Sequence, residues 1–468
     1  MKHLLRVLCP ILVLLIAATA FIVCDIMSAK DQVTVECETL YGDRSQAHGI
    51  TLDMEATYRR HLYWNTRFSE GNEPKAETRY TFYDIQRDID YNHPTDPLSM
   101  NDDVYYGIGE EDGWGLPKLY MDMLRQVPAG QESERTVRLL DYYQYYPLSV
   151  FVNIPSNYLG WSSNIVYSGD DSLMSRYGDY ITAFNDFFRI PVLPTEYFTI
   201  AVRRNAAEST YASYDRSGED IFTMETQSVQ SEDAFYFAFD AHTQSKNPYS
   251  EEYSDRTVDT SCIKGGFGIY KLPYMMGEKR LNDIDIQVDG LKTVFPLDPH
   301  SYIVELKLSE DGSLLYLFTI ENDILHVTVI DTETYTMQQK VRLGSAKNRY
   351  GIDYYVYEDF MVIYSDYEQL LYVLSRDEHG LLTFDFAAEM NRHDENITHE
   401  QKTFGYDGER LVMCTPHSGR GDTYIKMLVY TKRGLVYHGQ YTLSLSSGEW
   451  NMYNIVFSDS NFATVSFE

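Results

Sequence analysis

The sequence is short of cysteine, short of positive charge and empty of local catalytic signatures, and each shortage excludes something. Five cysteines in 468 residues cannot make a disulfide framework. Cys9 and Cys24 sit in the apolar start of the chain, so Cys37, Cys262 and Cys414 are left for the rest, enough for one internal bridge. Cys37 falls in "VTVEC", where it shares a strand face with Val33 and Val35. That position predicts a free thiol buried as a small hydrophobe. Lysine and arginine total 39 against 70 acids, a net charge of −31. Nucleic-acid binding needs a positive footprint that releases counterions from phosphates, and this chain repels them. The same acidity argues against anionic lipid head groups as partners of the folded part, and it favours solubility and attraction for cationic partners.

Candidate chemistry is equally sparse. There is no glycine-rich phosphate loop. "GWS" at 160–162 and "HSGRG" at 417–421 contain serines without the strand-to-helix elbow that exposes a nucleophile. "NDIDIQVDG" at 282–290 looks like a calcium loop, but Val288 stands where an EF-type loop requires glycine. Ile284, Ile286 and Val288 alternate with Asp283, Asp285 and Gln287, so a strand with an acidic outer face is expected. "DIDYNHPTDP" and the acids of "NDD" at 101–103 belong to a stretch, 88–114, that reads as a long solvated loop. His393 and His399 in "HDENITHE" are six apart in polar sequence, a spacing that suits neither a helical nor a cross-strand zinc pair. No catalytic residue, cofactor or metal is therefore assigned.

What is present begins with the amino terminus. Lys2 and Arg6 precede an uncharged apolar run from Val7 to Cys24, closed by Asp25. Its 18 residues are near the lower limit for a bilayer-spanning helix. The flanking charges place the start in the cytoplasm and the remainder across the membrane. A cleavage site at Ala18–Ala20 and a lipoprotein signal at Cys24 are alternatives. The run continues through Phe21–Val23, which favours an uncleaved anchor, and Val23 is larger than the residue a lipidation site wants. The chain thus reads as a tip (1–6), a membrane helix or signal (7–24), a linker (25–32) and a β-rich extracytoplasmic domain (33–468).

Within that domain, "GITLDMEATY" alternates apolar and polar with period two, the pattern of a half-buried strand. Helical insertions are expected at about 116–127, opened by Pro117, and at about 172–188, with an aromatic stripe facing a core. Tyrosine is the compositional excess, at 41 residues. It suits strands and buried edges, and it also suits contact surfaces. The clusters "DYYQYY" at 141–146 and "DYYVYEDF" at 353–360 are the expected surface patches.

The last 230 residues repeat. Apolar strands at 234–243, 314–320, 359–366, 410–416 and 462–468 recur, from 314 onward, at about 50 residues. Each is followed by one or two more strands, the mark of a propeller blade. "LSEDGSLLYLFTIENDILHVTVIDTETYTMQQKVRLG", 308–344, resembles a blade of the YVTN and lactonase-like propellers. Asp311-Gly312 turns into one strand, and Ile330-Asp331-Thr332 precedes a turn at Glu333-Thr334. The resemblance implies an all-β, propeller-like fold and no particular activity. The functional expectation is a membrane-anchored module that binds a protein or glycan partner. A glycan or lactone hydrolase with its site in the channel, and a structural subunit of an envelope transporter or sensor complex, are the alternatives.

Overall fold

The computed structural model describes residues 2–28, 33–58, 62–70, 75–80, 99–104, 116–154, 163–164, 182–205, 210–245, 253–276, 284–309, 311–346, 351–365, 368–390, 402–418, 423–445, 455–457 and 463–467. Helix Lys2–Ser28 opens the chain, with Pro10 inside it. Its apolar side chains, Ile11 to Ile16 and Phe21 among them, are exposed. Among the described residues no helix is long and apolar enough to cross a membrane. Everything after it is dominated by antiparallel strands. The chain divides into two compact units, 1–88 with 350–468, and 89–349.

In the first unit three sheets follow one another. Ile352–Val356, Phe360–Ser365, Leu370–Arg376 and Leu382–Glu389 form a four-stranded meander. Thr403–Tyr406, Leu411–Ser418, Thr423–Thr431 and Gly434–Leu445 form the second, completed by Val33–Gly42 from the other end of the sequence. Ile50–Tyr58, Leu62–Ser69 and Lys75–Tyr80 form the third, and Ile455–Phe457 and Ala463–Phe467 both pair with Ile50–Tyr58. The two ends of the chain are thus zipped into neighbouring sheets. The alternation predicted for Ile50–Tyr58 holds: Ile50, Leu52, Met54 and Ala56 are buried.

The middle sheet is apolar on both sides for different reasons. Val412, Cys414, Ile425, Met427, Val429, Tyr437 and Tyr441 pack against the 50–80 sheet. Leu411, Met413, Leu428 and Tyr430 pack against Phe360, Val362, Leu371 and Phe386 of the 352–389 sheet. A strand buried on both faces loses its period-two signature and reads as a continuous apolar run.

The second unit holds the four-stranded meander Tyr302–Leu308, Leu314–Glu321, Ile324–Asp331 and Met337–Ser345. The stretch 308–344 is its last three strands, and Tyr302–Leu308 supplies a first. Both predicted turns form. Asp311 Oδ1 accepts from Ser309 Oγ at 2.6 Å and from the Ser313 N–H at 3.1 Å, with Gly312 at φ 73°. Thr332 donates to the Gly312 carbonyl at 2.8 Å, and Thr334 donates to Asp331 Oδ1 at 2.8 Å. Leu315, Leu317 and Ile330 then pack on Tyr236, Ala238 and Ile269 of the preceding sheet. "LLYLF", "FMVIY" and "RLVMC" therefore occupy the second strand of three separate sheets, the arrangement their spacing predicts. Ala463–Phe467 departs from that equivalence, because it pairs with Ile50–Tyr58 in the 50–80 sheet.

Helix Leu116–Gln126 forms where expected. The 172–188 helix is described only from 182, where 182–187 is helical and Phe184, Phe187 and Phe188 are buried against Phe237 and Tyr270. The loop expected at 88–114 needs correction, because Ser99–Val104 is a strand paired with Leu148–Ile154. Asp102 and Asp103 sit on that strand, and the rest of 88–114 lies outside the described residues. The tyrosine clusters need correction too. Tyr146 is buried, Tyr142 and Tyr143 pack on the core, and Tyr355, Tyr357 and Phe360 pack between sheets. The exposed tyrosines among those described are Tyr41, Tyr197, Tyr211 and Tyr214.

Candidate functional site

A cleft of about 940 Å³ opens in the first unit where the 352–389 sheet stops covering the 403–445 sheet. Cross-strand register explains its chemistry. Leu428 lies opposite Met413 and His438, and two residues back Lys426 lies opposite Thr415 and Gln440. These positions share one sheet face, because side chains alternate with period two. Leu428 and Met413 are covered by the neighbouring sheet. Further along the same face, Lys426, Gln440, His438 and Tyr424 line the cleft.

Lys426 is only 7% exposed. Taking an ammonium out of water costs several kcal/mol unless partners offset it. The Tyr424 ring lies 6.0 Å from its Nζ, and His417 stacks on Tyr424 at 4.6 Å. The hairpin joining the two central strands brings Lys432 and Arg433 to the same cleft, with Gly434 at φ 94° making the turn. Among the described residues Glu389 is the one acid in the lining. Among the described residues, Lys426, Lys432 and Arg433 against one carboxylate, on a chain of net charge −31, are a local reversal of sign.

The rim is aromatic and apolar. The register of Val33–Gly42 against its partner slips between Thr39 and Tyr41, leaving Leu40 as the extra residue. Such a bulge re-aims side chains. Leu40 is 44% exposed and Tyr41 56%, and both line the cleft opposite Ala387 to Met390. The strand is held there by a buried network on its other face. Glu70 accepts a very short hydrogen bond from Tyr441 and pairs with Arg44 Nε at 3.0 Å, and Tyr437 and Tyr441 hydroxyls lie 3.2 Å apart. Burial holds the Tyr441 hydroxyl far above its ordinary pKa, with Glu70 adding to the effect. Cys37 is free and half-buried, 3.8 Å from Glu70 Oε1 and 3.7 Å from Tyr437 Oη. With Val35 it packs against the apolar core, as its strand position predicted, and its thiol also touches this polar network. Gly439 is required beneath the Tyr437 ring, because a Cβ there would come within 2.2 Å of Tyr437 Oη.

Of the sequence candidates, His417 of "HSGRG" stands beside the cleft, stacked on Tyr424. Ile284–Ile286 is a strand with Ile286 buried, as its alternation predicted. His393, His399 and the "GWS" at 160–162 fall outside the described residues, as does most of "HSGRG". Among the described residues no three His, Cys, Asp or Glu side chains gather as a metal set. In the second unit, Asp240 and His242 form a buried pair, Oδ1 to Nδ1 2.6 Å. The same Oδ1 accepts the His242 backbone N–H at 3.0 Å, and Tyr302 stacks over the imidazole at 3.7 Å. That pair braces the turn between Ala234–Phe239 and His242–Ser245. Sequence reading missed Lys426, although one signal was there: a single lysine inside "YIKMLVY", an otherwise apolar run.

No family model matches the chain, and no curated protein matches it by sequence. Solved structures do resemble it. A 6-phosphogluconolactonase-like protein of Bacteroides fragilis is 10% identical, with 88% of this chain and 98% of that one covered and a TM-score of 0.30. An oligogalacturonate lyase in complex with manganese is 10% identical, covering 88% and 97%, with a TM-score of 0.28. The periplasmic gluconolactonase of Pseudomonas aeruginosa is 10% identical, covering 89% and 98%, with a TM-score of 0.24. Likeness at this level assigns neither a site nor an activity to this chain.

Proposed function

We propose that this protein is a binding module whose 403–445 sheet presents a cationic cleft to an anionic ligand. The observation that carries it is Lys426, 7% exposed, lining a cleft of about 940 Å³ together with Lys432 and Arg433. A carboxylate or phosphate entering there gains charge-assisted hydrogen bonds, which are about twice as strong as neutral ones. Tyr41 and Tyr424 offer flat apolar faces with polar tips beside it. The apolar face of helix Lys2–Ser28 anchors the protein in the membrane, with the remainder outside the cytoplasm. Protease added to intact cells then removes the chain beyond residue 32, and full protection would contradict the placement.

Calorimetric titration of the full-length protein with glucuronate, gluconate, inorganic phosphate and glucose tests the binding. At least one of the three anions binds and glucose does not. Equal binding of glucose, or no binding of any anion, overturns the reading.

A further inference from the structure

The cations of the cleft form two poles. Lys426 marks one, with Tyr424 and Gln440 beside it. Lys432 and Arg433, at the hairpin, mark the other. From Lys426 to Thr431 the strand advances five residues, roughly 17 Å at about 3.4 Å each. A single small anion reaches one pole only. Between the poles the lining is His438 and Leu435 on one side, with the exposed Leu40 and Tyr41 raised by the bulge above them. Ala387 to Met390 form the opposing wall. The groove is therefore charged at its ends and aromatic or apolar along its length, and its volume is near the top of the range of about 300–1,000 Å³ typical of ligand pockets.

Building on the anion-binding reading, we propose that the ligand is an extended acidic oligosaccharide, laid along Gly434–Leu445 with carboxylates at both poles and a sugar ring against Tyr41. A polyuronate fits because its charges are separated by sugar rings with apolar faces. A nucleic acid fits poorly. Its phosphates are closely spaced and are bound through many cationic contacts, whereas the described lining of the groove has three cations on a chain of net charge −31.

The test is fluorescence or calorimetric titration of the full-length protein with mannuronate as monomer, trimer and hexamer at one salt concentration. An oligothymidylate of matched charge is the competitor. Bridging two sites converts the second contact into an intramolecular one, so the hexamer is expected to bind at least about tenfold tighter than the monomer. The double variant Lys432→Ser, Arg433→Ser keeps Gly434 for the turn and is expected to melt at the wild-type temperature. It is expected to abolish the length dependence, so that hexamer and monomer bind alike. A hexamer no tighter than the monomer overturns the two-pole proposal while leaving the anion-binding reading intact. A length advantage that survives the double substitution overturns it as well, and so does an oligothymidylate that binds as tightly as the hexamer. Absence of binding by both monomer and hexamer, with phosphate and gluconate also silent, removes the underlying reading too.

Discussion

Glu196→Ala is expected to cost about 3–5 kcal/mol of stability, measured by denaturant unfolding, because it leaves a buried guanidinium without its counter-charge. Glu196 is fully buried. Arg216 Nε donates to its Oε1 at 2.7 Å, and the Tyr146 hydroxyl donates to its Oε2 at 2.5 Å. Arg216, with its side chain 16% exposed, also donates to the Phe222 carbonyl, so it cannot swing out to water without breaking that bond. The three groups join Tyr146, the Tyr197–Arg204 approach and the Thr210–Ser217 strand. Glu196→Gln keeps an acceptor for Tyr146 and loses only the charge, so its cost is expected to be smaller. Equal stability of wild type and Glu196→Ala would mean that the cluster is not the brace of this sheet.

Glu70→Ala is expected to cost about 2–4 kcal/mol, less than the first because Arg44 is half-exposed and can be rehydrated. Here the pH dependence has a definite sign. Burial pushes the Tyr437 hydroxyl up to about 12, and burial with the Glu70 hydrogen bond raises Tyr441 further. A phenol whose folded pKa is raised holds its proton more tightly when folded. Its contribution is fully present below the unfolded value of about 10 and is lost as pH rises through the folded one. For Tyr441 the loss is about 1.4 kcal/mol per pH unit above about 10. Wild type is therefore expected to weaken steeply between pH 10 and 12, and Tyr441→Phe to weaken less steeply. A stability that is flat over that window would contradict the network.

The repeats were legible because turn chemistry and strand periodicity are local. Asp311-Gly312 and Asp331 to Thr334 build their turns from residues within a few positions of one another, so the blade 308–344 could be read directly. The strand at Ser99–Val104 was not legible, because its partner, Leu148–Ile154, lies far away in sequence and the intervening text is rich in loop formers. Tyrosine-rich stretches misled for a related reason. Tyr146 and Tyr357 look like surface residues in sequence, yet their hydroxyls find buried partners, Glu196 and the Phe404 N–H, that no local pattern announces. The cleft was hidden for the same cause. Lys426, His438, Glu389 and Tyr41 come from four strands and two sheets, and only cross-strand register brings them together. Net acidity is a sum over all residues and is legible in sequence, whereas a local reversal of sign depends on the fold.

The most direct measurement is calorimetric titration of glucuronate into wild type, Lys426→Met and Lys426→Arg at equal ionic strength, with melting temperatures recorded alongside. A charged hydrogen bond is worth about 1.5–3 kcal/mol, roughly tenfold to a hundredfold in affinity. Lys426→Met, which keeps the length and loses the charge, is expected to weaken binding by at least about tenfold without lowering the melting temperature. Lys426→Arg, which restores the charge, is expected to bind within a few-fold of wild type. Lys426→Met binding as tightly as wild type would contradict the assignment of this cleft as the anion site.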